Sequence, residues 1–272
     1  MGTWQYEGGI VPLQAGIALG ACFIDTAESY GTEEVVGRAI QGVRKKIFLA
    51  TKVSPRHFRR ADVIAAADAS LKRLNTDFVD LYQLHWPNYA VRIEETMGAM
   101  EQLVDSGKVR FIGVSNFFVR DLERAQKAMR KHKIVSNQVR YNLIDRTVET
   151  DLLDYCHEHH ITVIAHSPLA TGFAGIRAKD PERVIDEIAQ ARRKTAAQIA
   201  LSWCIAKKNI VTIPKANSVE HVKENCVASD FQLSPEEIEL LDKQVEYDRR
   251  GTVEVFLRRI ARRGLQYLGK NQ

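Results

Sequence analysis

Seven short apolar, β-rich runs alternate with longer stretches of helical period along most of this 272-residue chain. The runs occupy residues 22–25, 47–51, 79–84, 109–114, 135–139, 161–165 and 210–213, and a short first strand at residues 2–5 would bring the number to eight. Strands that recur between helical segments pair in parallel, because each return path crosses the sheet on a helix. Within 62–74, the residues Val63, Ala66, Ala67, Leu71 and Leu74 fall on one stripe, and similar stripes recur at 93–104, 119–129, 148–156 and 195–205. Eight such units close naturally on themselves, so the spacing predicts an α/β fold of the (β/α)8 TIM-barrel class. The competing doubly wound sheet lacks its usual mark, since no Gly-x-Gly-x-x-Gly follows the first run.

Two segments stand outside the repeat as extra surface helices. Residues 180–193 offer Asp180 as a cap with Pro181 in the first helical position, and residues 234–245 open on Ser234-Pro-Glu-Glu. The length suits one barrel of ~250 residues. Residues 1–272 are therefore expected to form a single domain, with 246–272 as a basic C-terminal extension.

No run approaches the ~20 apolar residues of a membrane helix, and no basic-then-apolar leader opens the sequence. Cys22, Cys156, Cys204 and Cys226 are widely spaced, with no Cys-x-x-Cys pair, which suits reduced thiols and a cytoplasmic location. The net charge of +5 is concentrated at one end: in residues 249–272 six arginines and one lysine face a single glutamate, leaving −1 for the rest. A nearly neutral body argues against nucleic-acid binding, and no membrane partner is expected. In 253–268, Phe256, Leu257, Ile260, Leu265 and Leu268 alternate with arginine pairs, the pattern of an amphipathic helix that docks on the barrel or on a second copy. The chain is accordingly expected to be a monomer, or a homo-oligomer through this segment. The residues of the run Cys156-His-Glu-His-His160 are consecutive and point in different directions at a helix end, which suits a solvated helix C-terminus, so no metal site is expected.

In a barrel, chemistry gathers where strands end, so each run's exit carries information. The run ending at residue 25 leaves Asp25, with Tyr30 five residues on; the next leaves Lys52, and the third leaves His85 and Trp86. A lysine, a carboxylate, a tyrosine and a histidine on neighbouring strands make a proton-delivery group. An adjacent ammonium lowers the pKa of a phenol, the carboxylate keeps that ammonium charged, and the imidazole hydrogen-bonds a substrate oxygen while the phenol protonates it.

Seven motifs in order, Phe23-Ile-Asp-Thr-Ala-Glu-Ser-Tyr-Gly31, Ala50-Thr-Lys52, Leu84-His-Trp-Pro87, Gly113-Val-Ser-Asn-Phe117, Ser136-Asn-Gln138, Ser167-Pro-Leu169 and Ile213-Pro-Lys215, resemble those of the aldo-keto reductase family. The resemblance implies an NADPH-dependent oxidoreductase that reduces small aldehydes, ketones or sugar-derived carbonyls, or oxidises the alcohols. Its catalytic tetrad falls on Asp25, Tyr30, Lys52 and His85, with Tyr30 as acid and base. It further implies that Ser115, Asn116 and Gln138 hold the nicotinamide carboxamide, that His166 stacks on the ring beside Ser167 and Leu169, and that Trp4, Trp86 and Phe117 wall the substrate pocket. The adenosine end falls on Lys215, Ala216, Asn217, His221, Glu224 and Asn225, with Lys215, Asn217, Ser218 and a helix N-terminus as the phosphate site. NADP(H) is thus preferred, with NAD(H) as the alternative.

Three departures from the family pattern matter. His166 stands where a tyrosine is usual, Ala216 where a serine is common, and His221 where many members carry a phosphate-clamping arginine. The resemblance also implies an N-terminal β-hairpin ahead of the first strand, and its lack of a match at Met1-Gly-Thr-Trp4 is expected to mean either that the hairpin is absent or that the sequence starts inside a longer protein. A nicotinamide-binding regulatory subunit with little turnover is the alternative function; the intact tetrad weighs against it and the basic C-terminal segment for it.

Overall fold

Each expected apolar run is a strand in the computed structural model, which describes residues 1–249. The strands are β1 (Phe23–Asp25), β2 (Phe48–Val53), β3 (Val79–Leu84), β4 (Val109–Ser115), β5 (Ile134–Arg140), β6 (Thr162–His166) and β7 (Ile210–Thr212). They neighbour one another in chain order, and the recorded pairs are parallel. The sequence of β3, Val-Asp-Leu-Tyr-Gln-Leu, is buried at all six positions. Such burial on both faces is what parallel strands flanked by crossover helices require.

The described residues fall into two compact units, one of Thr3–Gln5 with Phe23–Gln138 and the other of Met1–Gly2, Tyr6–Cys22 and Val139–Arg249. In the first, the helices Arg60–Leu74, Ile93–Asp105 and Val119–Ala128 cover the outside of the strands and bury Val63, Ala66, Leu74, Met97, Met100, Leu103, Leu122 and Ala125. The helix Arg60–Leu74 stops at Asn75, whose φ of 50° lies in the left-handed region that ends helices. In the second, the helix Ala196–Ala206 begins with a reciprocal capping box between Thr195 and Gln198, and Pro235–Gln244 with one between Ser234 and Glu237.

Three expectations are corrected. Residues 2–5 form no eighth strand: Gly2 makes a single bridge, and Trp4 and Gln5 lie in a turn because Gln5 adopts a left-handed φ of 51°. The helix expected over 180–193 runs from Val184 to Arg192, since Arg183, at φ 57°, breaks the helical path after Pro181. Asp180 still serves its N-terminus, accepting from Val184 N at 3.0 Å and Ile185 N at 2.9 Å. The helix expected over 148–156 divides at Asp151, φ −155°, into a 3-10 turn Thr147–Thr150 and a helix Leu152–Glu158. The amphipathic segment 253–268 lies outside the described residues. Among the described residues, no helix is long and apolar enough to cross a membrane.

Candidate active site

Strand register builds the centre of the site. Lys52 of β2 aligns with Gln83 of β3, Gln83 with Gly113 of β4, and Gly113 with Ser136 of β5. Registered neighbours in parallel strands point to the same face, so long polar side chains from several strands meet in one layer. A Cβ at position 113 would run into Ser136 Oγ and crowd Gln83, which explains the glycine there.

At the end of β1, Asp25 is 2 % exposed, and Lys52 is fully buried. Lys52 Nζ donates to Asp25 Oδ2 at 2.6 Å, to the Thr26 carbonyl at 2.9 Å and to the Tyr30 hydroxyl at 3.4 Å. Tyr30 reaches this position because Gly31, at φ 71°, ends the short 3-10 turn Glu28–Tyr30 in the left-handed region open to glycine. On its other side the Tyr30 hydroxyl lies 3.3 Å from His85 Nε2, with the two rings edge to face at 5.4 Å. His85 follows β3 directly, and Ser29 Oγ lies 3.5 Å from its Nδ1. The four residues of the expected tetrad therefore come together.

The electrostatics differ from the simple expectation of an acidified phenol. Burial acts against the charge on Lys52, yet the Asp25 carboxylate and the Tyr30 hydroxyl outweigh it and hold the ammonium above its ordinary pKa. For Tyr30, burial is the largest influence and lifts the phenol above its ordinary value; Lys52 pulls it down and Asp25 pushes it up. In the protein without ligand the phenol is thus kept protonated, because the low dielectric penalises phenolate more than one ammonium rewards it.

Neighbouring strand ends add amide and hydroxyl groups. Asn116, held at a left-handed φ of 62°, donates through Nδ2 to the His85 carbonyl at 3.1 Å and to Ser115 Oγ at 2.9 Å, while Ser115 Oγ donates to the Gln138 carbonyl at 2.9 Å. Gln138 sends its Nε2 to Asp25 Oδ1 at 2.7 Å, which leaves Oε1 as its side-chain acceptor. Of the three aromatics expected to wall a pocket, Trp4 is 52 % exposed, Trp86 is half-buried and Phe117 is buried with its backbone clasped by the Asn137 amide.

Hydroxyls from either side of β1 fix the segment that carries Trp4. Thr3 Oγ1 donates to the Asp25 carbonyl at 3.0 Å and lies 2.9 Å from Thr32 Oγ1, which lies 2.9 Å from Thr26 Oγ1.

The remaining expected residues belong to the unit that contains Val139–Arg249. His166 ends β6 with Nδ1 3.1 Å from Ser167 Oγ, and Ser167, at φ 51°, has its carbonyl held by Asn142 Nδ2 at 2.9 Å; Leu169 follows half-buried. Lys215, Asn217 and His221 are exposed, and Ala216, Glu224 and Asn225 partly so. Asn217 Oδ1 accepts from Glu7 N at 3.1 Å, and Ser218 Oγ caps the helix Val219–Val227 through His221 N at 3.3 Å. The carboxylate of Glu220 sits against that helix start, its pKa lowered by its own N–H and by the Ser218 hydroxyl. This N-terminus already stabilises one anion.

Sequence reading missed Gln83, whose Nε2 donates to Asp25 Oδ1 at 3.1 Å, and the Thr3–Thr32–Thr26 hydroxyls. The signal for Gln83 was a lone amide two residues before His85 in a strand otherwise suited to burial.

A model of the Aldo/keto reductase family matches residues 2–246. Methylglyoxal reductase YeaE of Escherichia coli is 40% identical over 252 residues, spanning 89% of this chain and 88% of that protein. A glyoxal reductase of Bacillus subtilis is 36% identical over 257 residues, spanning 92% of this chain and 90% of its own. Among solved structures, an aldo/keto reductase of Klebsiella pneumoniae in complex with NADP and acetate superposes with a TM-score of 0.84 at 40% identity, covering 93% of this chain and 92% of that one. The fold superposes on those of solved aldo/keto reductases, which are (β/α)8 barrels, and the chain belongs to the aldo/keto reductase family.

Proposed function

We propose that the chain is an NADPH-dependent reductase of small carbonyl compounds in which Tyr30 is the general acid, with dicarbonyls of the methylglyoxal and glyoxal type as the first substrates to test. The observation that carries this reading is the Tyr30 hydroxyl lying 3.4 Å from Lys52 Nζ and 3.3 Å from His85 Nε2. The names of the two bacterial relatives support the substrate class, and the ligand of the Klebsiella protein supports the cofactor.

Each unit carries donors suited to one part of a dinucleotide. Ser115, Asn116 and Gln138 offer hydroxyl and amide groups suited to a carboxamide, with Gln138 Oε1 as acceptor for its N–H. Lys215, Asn217, Ser218 and the start of the helix Val219–Val227 suit a phosphate, although His221 lacks the forked donor of an arginine. When bound, NADPH supplies the hydride that reduces the carbonyl carbon. His85 orients the carbonyl oxygen, and Tyr30 delivers its proton to that oxygen as negative charge develops there. Lys52 stabilises the resulting phenolate, and Asp25 holds Lys52 charged and aimed. A proton from solvent then restores Tyr30, leaving an alcohol and oxidised cofactor. Four free cysteines, two of them buried, support a reducing compartment such as the cytoplasm.

The test is an NADPH-fluorescence assay against methylglyoxal, glyoxal, simple aldehydes, ketones and ketosugars, run on the natural chain and on Tyr30→Phe. Consumption of NADPH by the natural chain alone supports the reading. No turnover of any carbonyl, or equal turnover by both proteins, overturns it.

A further inference from the structure

The two oxygens of the Asp25 carboxylate are divided between different kinds of donor. Oδ2 takes the Lys52 ammonium at 2.6 Å; Oδ1 takes two amide N–H groups, from Gln138 at 2.7 Å and from Gln83 at 3.1 Å. Gln83 Oε1 in turn lies 3.5 Å from Gln138 Nε2, so the three side chains close a triangle. We propose that Gln83 is a positioning residue for the reduction: it locks the Asp25 carboxylate in the rotation that presents Oδ2 to Lys52. This rests on the reading of the chain as a carbonyl reductase.

Gln83 is fully buried, in register with Lys52 on the adjacent strand. A buried amide is costly unless its groups are hydrogen-bonded, so its presence in a strand buried at every position calls for a partner, and Asp25 is that partner. Rotation about the Asp25 Cβ–Cγ bond breaks an ammonium contact or an amide contact whichever way it turns. With Gln83 present, Oδ1 is held from two strands; without it, from β5 alone. A loosened carboxylate no longer fixes Lys52, whose 3.4 Å contact with Tyr30 depends on the direction of its ammonium. The Gln83 side chain donates to Asp25 Oδ1 and, at 3.5 Å, accepts from Gln138 Nε2. Gln138 stays held by Asp25 at 2.7 Å without it, and its Oε1, the group assigned to the carboxamide, takes no bond from Gln83, so the larger effect of Gln83 falls on turnover.

Two substitutions test this. Gln83→Met keeps the length and removes the N–H. Gln83→Glu keeps the shape and makes the donor titratable: the new carboxyl, buried beside Asp25, has a raised pKa, donates to Oδ1 when protonated and repels it when ionised. Steady-state kinetics with NADPH and an aldehyde are followed across pH, alongside NADPH affinity by fluorescence, which also reports that each variant is folded. For Gln83→Met, kcat falls roughly tenfold at every pH, the scale of one hydrogen bond to a charged group, with NADPH affinity within about twofold. For Gln83→Glu, kcat approaches that of the natural chain at the acid end and drops as pH rises, an added limb that a purely structural role does not produce.

The proposal is overturned by an unchanged kcat in Gln83→Met, by a Gln83→Glu pH profile parallel to the natural one, or by a loss of NADPH affinity matching the loss of kcat. Should Gln83→Met fail to bind NADPH because it does not fold, the isosteric Gln83→Glu profile decides alone. A natural chain inactive on every carbonyl overturns the reductase reading itself; an active natural chain with unaffected variants overturns only the role of Gln83.

Discussion

Lys52 Nζ lies 2.6 Å from Asp25 Oδ2 with 0 % and 2 % of the two side chains open to solvent. Two charges have been taken out of water together, and each is tolerable only while the other is there. Lys52→Met, which strands the carboxylate, is expected to lower unfolding stability by about 3–5 kcal/mol in denaturant titration. Combining it with Asp25→Asn recovers much of that loss. A double variant as unstable as the sum of the singles refutes the coupling.

Tyr30→Phe removes the proton donor and little else, because the ring packing against His85 and the ammonium contact with the ring face remain available. Carbonyl reduction should fall by about 10²–10⁴-fold in kcat, with NADPH affinity by fluorescence titration nearly unchanged.

The pH dependence of both directions follows from the raised Tyr30 pKa. Reduction needs the protonated phenol, so its kcat stays level from neutral into alkaline solution and declines only beyond the ordinary phenol value of 10.0. Alcohol oxidation needs the phenolate and accelerates as pH rises over the same range. A reduction rate already halved at neutral pH by loss of a proton from Tyr30 contradicts this.

Stability should respond at the same alkaline end. Lys52 and Tyr30 are both raised by folding, so the stability they contribute is complete below their ordinary values of 10.5 and 10.0 and is lost as pH climbs through the folded values. Denaturant midpoints should therefore hold steady on the neutral side and fall in strongly alkaline solution. In Asp25→Asn the part of the fall that comes from Lys52 should disappear or reverse, because burial is then no longer outweighed and the ammonium is no longer held above its ordinary pKa.

In the unit that contains Val139–Arg249, the carboxylate of Glu220 lies at the start of the helix Val219–Val227, the place proposed for a phosphate. Glu220→Gln is expected to tighten NADPH binding roughly threefold and leave NADH unchanged, the size of one charge at an exposed helix end. His221→Arg, which supplies a forked donor, should act in the same direction. Equal changes for both cofactors argue against a phosphate at this helix.

The repeat of strands and helices was readable because burial on both faces of a parallel strand favours short, β-rich, largely apolar runs between helical stretches, and β3 matches its expected bounds of Val79–Leu84. The tetrad was readable because polar residues at successive strand ends have few structural uses. Gln83 was not, since its partner Asp25 is 58 positions away and only the alignment of β2 with β3 shows that its side chain shares a layer with Lys52. The raised Tyr30 phenol was missed for a related reason: a lysine can be read in a sequence, but the depth at which it meets the phenol cannot. The failed helix start at Asp180 was a local matter, decided by the left-handed Arg183.

The hydroxyls of Thr3, Thr26 and Thr32, which flank β1, have one hydrogen apiece. Since Thr3 gives its hydrogen to the Asp25 carbonyl, Thr32 must give its own to Thr3, and Thr26 its own to Thr32. The file has a single sense, running from Thr26 toward the backbone of Asp25, and no member can be reversed alone. The turn that carries Trp4 is thereby keyed to the loop that carries Tyr30, and a valine at position 32 would unlock one from the other without touching either aromatic ring.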